Sequence, residues 1–195
     1  MFSEVRSIKP LEMRVVFLVY ALLAGTAAIW DWSSRGDPFW VFKNSQIPSL
    51  KVSILAIIGV FLYWAIVRIL SRWSENLRSV EGLFSQLLSP ISYLQIVVIS
   101  ATTAIVEEWF FRGILVGHFG LILSALVFAL CHLIPSPRLW TWSIWSFIAA
   151  ILLGVIYQET KSLYLPILIH FLVNILSLVF INWRAYQTPR FNPAG

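Results

Sequence analysis

Six long apolar runs dominate this chain of 195 residues: Val15 to Trp30, Val52 to Leu70, Ile91 to Val116, Leu121 to His132, Leu139 to Tyr157 and Leu163 to Trp183. About 20 apolar residues in helical form match the hydrocarbon thickness of a bilayer, and backbone crossing lipid must satisfy its polar groups within itself. Every run is longer than a strand needs, so the runs predict helices. Only 12% of residues are charged and 59% are hydrophobic, against about 25% charged in soluble domains. These proportions exclude an ordinary soluble domain and a disordered chain. The expected fold class is all-α, a polytopic helical bundle whose outer surface is apolar because lipid is its solvent.

The runs give six expected spans. Between the second and third, Glu75 to Leu88 mixes charges with Leu77, Val80, Leu83, Phe84, Leu87 and Leu88 at helical spacing, which predicts one interfacial amphipathic helix. Residues 1–90 are thus expected to form a two-span region with the interfacial helix, 91–184 a four-helix core, and 185–195 a polar tail. Arg6, Lys9 and Arg14 precede the first run, which resembles a leader segment but in a multi-span chain reads as the first helix. Basic residues at the N-terminus, at Arg68 to Arg78, at Arg138 and at Arg184 and Arg190 put those segments on the cytoplasmic side of a cell membrane. The net charge of +5 is scattered among apolar runs without a basic stripe, so nucleic acid is not an expected partner. The single cysteine, Cys131, has no disulfide mate and reads as a small buried filler.

Ionisable groups inside spans cost about 2.5–3.5 kcal/mol each on insertion scales, which makes them candidates for function. Glu107 and Glu108 lie side by side mid-span with Arg112 following, His132 closes the next helix, and His170 and Asn174 share a face of the last. Glu108 and Arg112, four apart, stack on one face and predict a neutral structural clamp. Glu107 points about 100° away and is expected to stay unpaired in a low-dielectric site, as a general base requires. Counted at 1.5 Å per residue from the nearest turns, all four positions reach roughly 14–20 Å depth, a common layer. Taken singly, each histidine reads more readily as an interhelical hydrogen bond than as a catalyst, and Asn174 as interhelical glue; the shared depth favours a site. His118 reads as interfacial. Ser100, Thr102 and Thr103 can line a cavity or bond back to helix carbonyls.

Two carboxylates and two imidazoles admit a metal hydrolase, but the zinc signature HExxH is absent, and no GxSxG supports serine chemistry. Water activated by a carboxylate and a histidine remains, with the other histidine and the asparagine placed to stabilise an oxyanion. The string Glu107-Glu108-Trp109-Phe110-Phe111-Arg112-Gly113 resembles the EExxxR motif, with its following glycine, of the CAAX-protease and bacteriocin-processing (CPBP) family of intramembrane glutamic proteases. Phe128 to His132 fits its FxxxH and His170 to Asn174 its HxxxN, in order, over roughly residues 95–178.

The resemblance implies that Glu107 and His132 activate water, that His170 and Asn174 stabilise the oxyanion, and that Glu108 with Arg112 support the site, without cofactor or metal. It further implies a membrane-anchored or lipidated protein or peptide as substrate, and a prokaryotic membrane as location. Trp109, Phe110 and Phe111 then shape substrate access or simply pack. Two other readings share the same residues: a metal-dependent intramembrane protease, and a non-catalytic membrane protein whose polar layer holds helices, confers bacteriocin immunity or binds a partner.

Overall fold

A computed structural model describes residues 12–88 and 90–187. Among these residues every regular element is helical: α1 Met13–Arg35, α2 Trp40–Lys43, α3 Leu50–Trp73, α4 Glu75–Leu88, α5 Tyr93–Glu108, α6 Val116–Cys131, α7 Trp140–Thr160 and α8 Tyr164–Gln187. A π-helical segment, Trp109–Leu115, joins α5 to α6. Arg6, Lys9, Arg190 and the tail beyond residue 187 lie outside the described residues.

Five helices, not six, are long and apolar enough to cross a membrane among the described residues. The correction concerns the run after Gly120. Gly120 stands at φ 81°, ψ 168°, a region open essentially only to glycine. There the chain reverses: Ser124 Oγ donates to Phe111 O at 2.9 Å and the Phe111 and Phe128 rings meet at 4.8 Å. In a straight helix Phe111 and Ser124 would stand about 20 Å apart. Residues 121–131 extend for only about 16 Å, half a bilayer core. Gly117, expected to share the turn, stays helical; its lack of a side chain admits Arg35 Nη2 at 3.3 Å from where a Cβ would sit.

The start of α5 follows from its sequence. Ser92 accepts from Gln95 N at 3.2 Å while the Gln95 side chain accepts from Ser92 N at 2.7 Å, a reciprocal capping box. The Asn182 side chain of α8 pairs with both backbone groups of Ile91, at 3.2 and 3.0 Å, and fixes this entrance to α8. The amphipathic helix expected before Pro90 is α4. Its buried Glu81 binds Arg68 of α3 and Arg184 of α8, each at 2.6 Å, tying three helices at one end of the bundle.

Leu18, Leu22, Ile54, Leu62, Leu94, Leu130 and Ile144 point outward, as lipid-facing surface requires. Inward, Trp109 and Ile114 of the π segment pack with Ala27 and Val41, while Phe111 and Leu115 pack with Phe128 and Ala150. The π segment is therefore the hub of two apolar clusters.

Candidate functional site

A π turn inserts an extra residue into the helical repeat and frees backbone groups, which other donors must satisfy. Here Ser124 Oγ takes Phe111 O, and Arg35 of α1 donates to Gly113 O at 3.4 and 3.5 Å. Gly113 is needed for closeness: a Cβ there would stand 2.8 Å from Val41 Cγ1 of α2. This accounts for a glycine directly after Arg112.

Glu107 and Glu108 sit immediately before the π segment and are buried, Glu108 completely. Arg112 Nη1 lies 3.0 Å from Glu108 Oε1 and its guanidinium covers the Phe128 ring at 4.8 Å, so the expected Glu108–Arg112 pairing is present. Glu108 does more than that pairing: His170 Nδ1 stands 2.7 Å from the same Oε1. A carboxylate can only accept, so Nδ1 carries the proton and Nε2 faces the site. Nε2 lies 3.9 Å from Glu107 Oε2, which is buried with no hydrogen-bond partner.

Glu107 is not wholly unpaired as the sequence suggested. The Tyr20 hydroxyl of α1 donates to its Oε1. A buried carboxylate with both oxygens unmet is costly, and the parallel neighbour α1 supplies a donor that helix spacing within α5 cannot reveal. Asn174 Nδ2 donates to Thr103 Oγ1 at 2.9 Å, and the Thr103 hydroxyl donates back to Ser100 O at 3.3 Å, so Thr103 takes the back-bonding role and also steadies Asn174. His132 stands apart from this group. Its Nδ1 meets Phe128 O at 2.7 Å, its ring stacks on Phe128 at 4.3 Å, and Trp142 is 5.8 Å away. Among the described residues it has no hydrogen bond or ion pair to either glutamate.

Two further residues escaped the sequence reading. Asp31, fully buried, binds Arg35 at 2.7 Å and accepts from Trp109 Nε1 at 3.0 Å. The signal existed, since Asp31 and Arg35 are four apart at the end of an apolar run. Tyr20 offered only a polar tip inside an apolar run. Trp109 packs among Phe39 and Phe42, and Phe110 against Phe111. Cys131 is exposed, contrary to a buried filler, at the last position of α6. His118 is also exposed, bonded through Nδ1 to Ile114 O at 2.9 Å. Among the described residues no group of three His, Cys, Asp or Glu side chains is arranged to hold a metal ion. Arg112 and His170 already occupy the oxygen of Glu108 that faces the cluster.

Residues 89–176 match the family described as Rce1-like, type II CAAX prenyl endopeptidase. The uncharacterized protein YpbD of Bacillus subtilis (strain 168) is 28% identical over 166 residues, 83% of each chain. No solved structure matches significantly.

Proposed function

We propose that this multi-pass membrane protein, whose residues 89–176 match the Rce1-like family of type II CAAX prenyl endopeptidases, hydrolyses a peptide bond of a membrane-anchored or lipidated protein with water activated by Glu107 and His132. The observation that supports the reading is the unmet Glu107 Oε2, buried 3.9 Å from His170 Nε2.

In this scheme a water donates one hydrogen bond to Glu107 Oε2 and attacks the scissile carbonyl as its proton passes to the carboxylate. His132 contributes the lone pair of Nε2, since Nδ1 is turned to Phe128 O. The second N–H of Asn174, whose first is held by Thr103, and His170 Nε2–H receive the oxyanion. His170 acts as an imidazolium there; with Glu107, Glu108 and Arg112 it brings the buried set to zero net charge. Collapse of the tetrahedral intermediate breaks the C–N bond, and the proton held by Glu107 goes to the leaving amine.

The test compares termini of membrane-anchored proteins in cells carrying the native chain and cells carrying Glu107→Gln at equal level. The expected result is a set of anchored proteins that keep an extra terminal segment only with Glu107→Gln. Identical termini in both, with the variant folded, refute the protease reading and favour a binding or immunity role.

A further inference from the structure

The matched family region begins at residue 89, yet one of the contacts to Glu107 comes from well before it. Tyr20, on α1, donates its hydroxyl to Glu107 Oε1, while Oε2 has no partner and looks toward His170 Nε2 at 3.9 Å. The two carboxylate oxygens are therefore inequivalent, one held and one free.

The register of α1 against the π segment is fixed independently of Tyr20. Asp31 accepts from Trp109 Nε1 at 3.0 Å, and Arg35, bound to Asp31 at 2.7 Å, reaches Gly113 O at 3.4 Å. Ala27, completely buried, packs on Trp109 and Ile114 between these points. Rotation or sliding of α1 would break the buried Asp31 bonds, which are costly to leave unmet in a low-dielectric interior. Tyr20 is thus carried on a helix anchored about two to four turns further along.

We propose that Tyr20 is a positioning residue for Glu107: its hydroxyl holds Oε1 so that Oε2 alone is presented to the attacking water. The inference rests on the glutamic-protease reading of Glu107 and assigns α1 a part in the site. A carboxylate free to rotate about its terminal bond would offer either oxygen at either angle, and misplacement of a reacting group by about 1 Å costs about 100-fold in rate.

The experiment uses the full chain in lipid nanodiscs, a quenched-fluorescent farnesylated CAAX peptide as probe, and Tyr20→Phe, which keeps the ring and removes only the oxygen. The expected result is a fall in kcat of about 10- to 100-fold with KM within about twofold, the split produced by an effect confined to the chemical step. Infrared difference spectra supply a second readout independent of turnover. The Glu107 carboxylate bands, identified by their loss in Glu107→Gln, shift in Tyr20→Phe because one hydrogen bond is gone. An unmoved band in folded Tyr20→Phe, an unchanged kcat, or a change in KM alone overturns the inference. Absence of cleavage by the native chain alongside a shifted band instead removes the protease reading and leaves the Tyr20–Glu107 coupling established.

Discussion

Glu108→Ala tests most directly whether the buried charges are balanced as the geometry implies. Glu108 is fully buried and Arg112 is 1% exposed, with 3.0 Å between them. At an effective dielectric near 20, charges this close attract by about 5 kcal/mol, a gross figure that the cost of desolvating both largely offsets. Removing one partner leaves that offset behind. In Glu108→Ala the Arg112 guanidinium stays over Phe128 without its carboxylate, and His170 loses its bond at 2.7 Å, so the expected destabilisation is about 3–5 kcal/mol. Arg112→Met should cost a similar amount for the mirror reason. The double replacement Glu108→Leu with Arg112→Met removes both charges while keeping volume, and should recover all but about 1–2 kcal/mol while remaining inactive. Equilibrium unfolding in mixed micelles of mild detergent and dodecyl sulfate measures all three. A cost below about 1 kcal/mol for Glu108→Ala, or a double replacement as costly as the two singles together, would refute the argument.

In the proposed scheme Asn174→Ala removes an oxyanion donor and should lower kcat about 100-fold with KM nearly unchanged; an unaltered rate in the peptide assay takes Asn174 out of the site. Chelators should leave turnover intact, and inhibition reversed by added zinc would replace the glutamic scheme by a metal-dependent one. Gly120→Ala forces an alanine to φ 81° and should destabilise the chain by about 1–3 kcal/mol, read by the same unfolding titration. Gly113→Ala drives a methyl to within 2.8 Å of Val41 Cγ1 and should cost about 1–3 kcal/mol, most of it restored by adding Val41→Ala.

Much of the buried polar cluster was legible because its residues break a strong rule. Glu107, Glu108, Arg112, His170 and Asn174 are polar residues within apolar runs, and helical spacing alone paired Glu108 with Arg112. Spacing is silent about partners on other helices. Nothing in the order of residues says that His170 takes the oxygen of Glu108 that Arg112 also faces, that Thr103 steadies Asn174, or that His132 stays with the Phe128 carbonyl. The span count failed for a related reason. Apolar length marks Leu121 to His132 as a helix, but the reversal at Gly120 and the short segment after it depend on Ser124 and Phe128 packing back onto Phe111.

The sequence by itself determined that this chain is an all-helical membrane protein with a polar layer, because hydrophobic length and the cost of buried charge are local properties that any bilayer imposes. The tertiary structure alone decided which oxygen of Glu107 is free. That outcome depends on α1, whose Tyr20, Asp31 and Arg35 meet residues 78 to 87 positions further along the chain. Contacts at such separation follow from how helices settle against each other, and no periodicity within one helix encodes them.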